Sequence, residues 1–94
     1  MPQAIWKFEL QTTGGAFNNY IKTPDKFKPL HVAADNKTNL ICVWARVDTE
    51  ADDCIREVLV FGTGHPLPGG IAEHFEYAGT TQQDVFVWHV FIAS

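Results

Sequence analysis

Residues 4–10, Ala4-Ile5-Trp6-Lys7-Phe8-Glu9-Leu10, decide the fold class. Ala4, Trp6, Phe8 and Leu10 fall on one side of an extended chain, Lys7 and Glu9 on the other. A period of two is the mark of a half-buried β-strand. The same signal repeats outward from this stretch. Leu30–Ala34 reads as a second strand and Asn39–Asp48 as a third. The centre of the third, Leu40-Ile41-Cys42-Val43-Trp44-Ala45, is apolar on both faces, which places it inside a sheet. Cys54–Phe61, Phe75–Thr81 and Val85–Ile92 complete the set. Turn residues separate them at Asp35-Asn36-Lys37-Thr38, at Thr49–Asp53 and at Gln82-Gln83-Asp84. No window sustains a 3.6-residue period, and Ile71–His74 is the one short helical turn. The chain therefore predicts a single, mainly β domain over residues 1–94. It is a small six-stranded antiparallel sheet or sandwich with at most one short helical turn.

The connections carry further expectations. Strands three and four are read as a hairpin around Thr49–Asp53, which sets Val47 near Cys54 and Cys42 near Leu59. Cys42 and Cys54 are then several residues out of register, too far apart for a disulfide. Thr12-Thr13-Gly14-Gly15 breaks the first strand. Residues 14–29, with Asn18, Asn19, Pro24 and Pro29, read as a long irregular connection. Such loops are often functional. Lys22, Lys26 and Lys28 in it suggest a lid over an anionic ligand. Phe17, Tyr20 and Phe27 suggest that it packs onto something, such as a neighbouring subunit.

Composition narrows the function classes. The chain has 94 residues and a net charge of −4, from 7 Lys+Arg against 11 Asp+Glu. That balance argues against duplex nucleic acid, whose affinity rests on a basic footprint. A small basic pocket for an anionic ligand stays open. No apolar run reaches the length of a membrane helix, and no signal peptide is visible. The cysteines match no zinc spacing and fit a reducing cytosol with free thiols. Seven Phe, three Trp and two Tyr are a heavy aromatic load for this length. It either compensates for a thin core or marks a subunit interface.

The densest turn stretch, Gly62-Thr63-Gly64-His65-Pro66-Leu67-Pro68-Gly69-Gly70, is the sharpest candidate site. Gly62 and Gly64 let the backbone approach a ligand closely. Consecutive N–H groups, the Thr63 hydroxyl and the His65 imidazole can hold a phosphate or carboxylate. The Lys-Ser/Thr ending and following helix of a P-loop are missing, and a tight strand exit would need the same glycines. His89, in Val87-Trp88-His89-Val90-Phe91, is either a satisfied core residue or converges with His65 on one site. Arg46 and Arg56 would clamp an anion between two guanidiniums, or pair with Asp48, Glu57 and the acidic turn. Trp6, Trp44 and Trp88 read as core, although a Trp exposed at a site would stack on a base. Four histidines without fixed spacing, His31 and His74 included, make no metal site. Ser94 is the only serine, paired-carboxylate and His-x-x-x-His patterns are lacking, and both cysteines read as buried. No enzyme signature and no cofactor site is present.

In the blocks Ile5–Leu10, Leu40–Asp48, Val60–Pro68, Tyr77–Thr80 and Val87–Phe91, in this order, the chain resembles a family of short uncharacterised phage and prophage proteins. The resemblance spans nearly the whole length. It implies a small accessory protein acting in the cytoplasm of a bacterial host. Such proteins without enzyme motifs often block host defence. The expectation is then a non-enzymatic counter-defence protein, a homo-oligomer, that sequesters a small anionic nucleotide of host immune signalling, a cyclic oligonucleotide or an ADP-ribose derivative. Gly62, Thr63, Gly64 and His65 would hold phosphate, Arg46 or Arg56 would neutralise it, and His89 and Trp88 would complete the site. One alternative is a protein-binding inhibitor of a defence complex that presents the acidic Asp48–Asp53 turn. Another is a small nucleotide-degrading enzyme using His65 and His89.

Overall fold

The computed structural model describes residues 2–11 and 16–93, with Ala16 and Phe17 described by their backbone alone. The break expected at Thr12–Gly15, and any packing of the Phe17 ring, lie outside the described residues. The chain is mainly β, as its periodicity predicts. The elements are β1 (Gln3–Leu10), β2 (Ala16–Pro24), β3 (Phe27–Ala34), β4 (Ile41–Asp48), β5 (Asp53–Gly62), α1 (Ile71–His74), β6 (Phe75–Gln83) and β7 (Phe86–Ala93). They form two antiparallel sheets, β1-β4-β3 and β2-β5-β7-β6. β4, the strand apolar on both faces, is central in its sheet.

Among the described residues the strands number seven, not six. The addition is β2, in the stretch read as an irregular loop. Asn19, Ile21 and Thr23 face inward along it, while Asn18, Tyr20 and Lys22 face out. Asn19 looks like a turn residue but acts as a backbone surrogate. Its Oδ1 accepts from the Gln11 N–H at 2.8 Å and its Nδ2 donates to the Gln11 carbonyl at 3.2 Å. Bonds to both its oxygen and its nitrogen offset the cost of taking the carboxamide out of water. Two of the three lysines expected to form a lid are held in surface ion pairs. Lys22 pairs with Asp53 at 3.7 Å and Lys28 with Glu76 at 3.1 Å.

The expected hairpin of Asn39–Asp48 with Cys54–Phe61 does not form. β4 lies between β1 and β3, β5 lies between β2 and β7, and residues 49–52 carry the chain from one sheet to the other. Asp48 steers this crossing. Its side chain is turned inward at 3 % exposure, and its Oδ1 accepts from the Glu50 N–H at 3.0 Å. The acidic turn is therefore not one outward acidic surface. Cys42 pairs with Glu9 and Ala33, Cys54 with Thr23, and both thiols are free because they belong to different sheets. Burial pushes the Cys42 thiol up from its ordinary value.

The core lies between the sheets. Leu10, Val32, Ile41 and Val43 meet Val58, Val60, Trp88, Val90 and Ile92. The sheets approach most closely where β3 crosses β6. There a Cβ on Gly79 would stand 3.0 Å from both Cβ and Cγ2 of Val32, so any larger residue would force Val32 to shift. Arg56 closes one end of the sandwich. Its Nε donates to Thr23 Oγ1 at 3.2 Å, Nη1 to the Ala93 carbonyl at 3.2 Å and Nη2 to the Asp25 carbonyl at 3.0 Å. The guanidinium also sits 4.9 Å from the centroid of the Phe27 ring.

Candidate functional site

The outer face of the four-stranded sheet builds the candidate site. Val58 and Val60 on β5, and Val90 and Ile92 on β7, point into the core. Their neighbours by alternation, Leu59, Phe61, His89 and Phe91, must point the other way. Leu59 and Phe61 are nonetheless only 7 % and 5 % exposed. The cover comes from the stretch after β5, which folds back across the sheet as a strap ending in α1. Two glycines let it turn: Gly64 has φ +90° and Gly70 has φ +79°, in the region that side chains with a Cβ avoid. The Thr63 N–H bonds to the Val87 carbonyl at 3.1 Å and the His65 N–H to the Gly62 carbonyl at 3.1 Å.

A cleft opens on each side of the strap. The first, about 240 Å³, is bounded by Phe61, Gly62, Thr63, Gly64, His65, Leu67, Tyr77, His89 and Phe91. Its walls are mostly aromatic. Phe91 meets Phe61 edge-on at 6.0 Å and Tyr77 at 5.5 Å, and the His65 ring lies 5.6 Å from Phe61. His89 is held at both nitrogens: Nε2 lies 2.7 Å from Thr63 Oγ1 and Nδ1 2.9 Å from Thr80 Oγ1. Tyr77 Oη bonds in turn to Thr80 Oγ1. Each hydroxyl can donate or accept, so the neutral ring is satisfied in either tautomer. His65 differs. Its Nδ1 lies 2.8 Å from the Pro66 carbonyl, which can only accept. The proton is therefore on Nδ1, and in the neutral ring Nε2 is left as an acceptor.

The second cleft, about 220 Å³, lies between the strap's Pro68–Ile71 and β5, with Glu57, Leu59 and Phe61 beneath and Phe75 at one side. Neither cleft is lined by a lysine or arginine among the described residues.

Of the residues singled out in the sequence, the fold brings together Gly62, Thr63, Gly64, His65 and His89. It separates the other three. Trp88 alternates with His89 and so points into the core, where its Nε1 donates to Gln83 Oε1 at 3.0 Å. Arg56 is spent on the end of the sandwich, its bonds going to the Thr23 hydroxyl, the Ala93 and Asp25 carbonyls and, at 3.6 Å, Cys54 Sγ. Arg46 lies in the other sheet, opposite Ile5 and Lys28. The expected two-arginine clamp is thus not assembled. Sequence reasoning missed Phe61, Leu67, Tyr77, Thr80 and Phe91. A signal for part of this set was present: β5 and β7 are apolar on both faces, which demands cover on both. Among the described residues, no group of three or more His, Cys, Asp or Glu side chains stands ready for a metal ion.

Fold and site together define a small two-sheet β-sandwich whose outer face carries a strapped aromatic cleft. The match is to the family described as a domain of unknown function, DUF7352, over residues 1–94, and the chain belongs to that family. No curated protein and no solved structure matches it. No helix among the described residues is long and apolar enough to cross a membrane.

Proposed function

We propose that this protein is a non-catalytic binding protein that captures a small ring-bearing ligand in the first cleft. In its specific form the reading is phage counter-defence in the bacterial host cytoplasm: the ligand is a host immune signalling nucleotide, held by its base and sequestered uncleaved. The observation that supports it is the aromatic enclosure of Phe61, Tyr77, Phe91 and His65 around His89. A cleft of about 240 Å³ lies below the usual range for drug-sized ligands and suits one ring system rather than a whole cyclic oligonucleotide. The His65 Nε2 acceptor and the hydroxyl of Thr63 offer polar contacts at the rim. With no lysine or arginine among the described residues lining the cleft, the phosphates of such a ligand would remain at the mouth, near the Gly62–Gly64 backbone. Self-association, also part of this reading, would draw on exposed apolar side chains such as Ile55 and Phe86.

The test is thermal stability in the presence of cyclic oligonucleotides, ADP-ribose derivatives and the matching nucleosides. Ligand at one hundred times Kd stabilises by about 2.7 kcal/mol. For a domain of this size that is roughly 10–20 °C in midpoint. Nucleoside and nucleotide should shift the midpoint to a similar extent, and His65→Ala should abolish the shift while leaving the unliganded midpoint in place. No shift with any member of the panel sinks the reading.

One contact favours a second reading, a nucleotide-degrading enzyme. His89 Nε2 stands 2.7 Å from the Thr63 hydroxyl, within reach for a base acting on an alcohol. Ligand recovered intact after the complex is denatured would eliminate it.

A further inference from the structure

The second cleft differs from the first in one chemical respect: it carries a carboxylate. Glu57 lies on the outer face of β5, two residues before Leu59, and contributes to the cleft. Its Oε2 accepts from Asn18 Nδ2 at 3.1 Å and from Tyr20 Oη at 3.3 Å. Both partners are neutral, so these two bonds orient the negative charge without neutralising it. A carboxylate has about four acceptor positions, and two remain. Beside it are the apolar surfaces of Leu59, Phe61, Ile71 and Phe75, closed over by the strap at Gly69 and Gly70. No lysine or arginine among the described residues lines the cleft; its other polar side chains are Asn18 and the His74 imidazole of α1. An apolar pocket with a few fixed polar groups is the usual form of a small-molecule site.

We infer that this cleft is a binding site for a planar organic cation, an arylamidinium or arylguanidinium. Its two N–H donors would meet the Glu57 carboxylate, and its ring would lie against Phe61, Phe75 and Ile71. A forked pair of donors matches a carboxylate better than a single ammonium does, since two parallel charge-assisted bonds form at once. Two arms of Phe61's surroundings are involved: the ring is shared by both clefts, so a ligand in one is close to a ligand in the other. The inference does not depend on a nucleotide entering the first cleft, because it uses Glu57 and the opposite side of the strap.

The experiment is an amide NMR titration of the purified protein with benzamidine and, in parallel, with its neutral isostere benzamide. Benzamidine should move the Gly69, Gly70 and Phe75 amides and saturate, with benzamide at least tenfold weaker. Glu57→Gln keeps an acceptor for Asn18 and Tyr20 while removing the charge, and should bring benzamidine down to the benzamide level. Equal binding of the two probes by the unaltered protein would overturn the inference, whatever the variant does. So would undiminished benzamidine binding by a folded Glu57→Gln, or shifts centred on Gly62–Gly64. Those last amides report the first cleft, so failure here is distinct from failure of the nucleotide reading.

Discussion

Replacing Arg56 by Met removes the guanidinium and keeps most of the aliphatic stem, so the loss reads on the polar contacts. Three N–H···O bonds disappear, to Thr23 Oγ1, the Ala93 carbonyl and the Asp25 carbonyl, together with the weaker contact to Cys54 Sγ. The stacking on Phe27 goes with them. A hydrogen bond to a charged group contributes about 1.5–3 kcal/mol when it is well buried. Arg56 is only half-buried, so water replaces part of each. The cation–π contact adds about 0.5–1 kcal/mol at a site of this exposure. The sum, discounted for solvent and for non-additivity, is about 2–4 kcal/mol. In a domain of this length that lowers the melting midpoint by roughly 10–25 °C. Urea unfolding followed by tryptophan fluorescence supplies the free energy directly, with Trp88 in the core as reporter. Arg56→Lys should recover less than half, because one ammonium cannot reach three acceptors spread over two strand ends and a turn. The reasoning is refuted if Arg56→Met costs under about 1 kcal/mol, well below the range expected for the lost bonds. It is refuted equally if the variant keeps its midpoint and loses a ligand-induced shift, since Arg56 would then be the anion clamp that its sequence position first suggests.

Three further outcomes are expected. Gly79→Ala should cost about 1–3 kcal/mol by overpacking, because the new methyl meets the β-branched Val32 at 3.0 Å, and calorimetry reads it as a lower midpoint without loss of the fold. The Asp35 carboxyl is held down to about 2 by the hydrogen bond from the Lys7 ammonium and by the N–H groups of Lys37 and Thr38. Its folded value lies below its unfolded one. The stabilisation is therefore complete above about pH 4 and is lost as pH falls towards 2. The stability gap between the native protein and Asp35→Asn should close over that window, and a gap that stays constant in acid unfolding would contradict this. Cys42, fully buried with its thiol pushed up, should resist iodoacetamide at neutral pH until the protein unfolds, as mass spectrometry of the labelled peptide would show.

The strands were legible where side chains alternate. β1, β4, β5, β6 and β7 lie within one to two residues of their periodicity, and α1 falls at Ile71–His74 as read. β2 was not legible, because Asn18, Asn19 and Pro24 carry turn propensity. The carboxamide of Asn19 overrides that propensity only when Gln11 lies across from it. Of the candidate site, the run from Gly62 to His65 and the partner His89 were readable as residues capable of chemistry. Their meeting was not. His89 and Thr63 are 26 positions apart, and the register of β5 on β7 sets His89 opposite Phe61, two residues before Thr63 and within reach of its hydroxyl. The arginines misled because a guanidinium's partners cannot be read from its neighbours in the chain. Arg56 finds its acceptors at Asp25 and Ala93, more than thirty residues away on either side.

The sequence by itself determined a mainly β domain, the strand-like character of most of its segments, the central place of β4 and the glycine-rich stretch that became the strap. Each of these follows from local alternation and from backbone preferences that a few adjacent residues carry. Tertiary structure alone decided that β4 and β5 part company into two sheets, that the strap folds over the outer face of the second, and that Glu57 ends beside one cleft and His89 in the other. Alternation says which side chains share a face of a strand, but it does not say which strand lies opposite. That choice belongs to long-range pairing, where cover for doubly apolar strands and partners for buried polar groups are satisfied together or not at all.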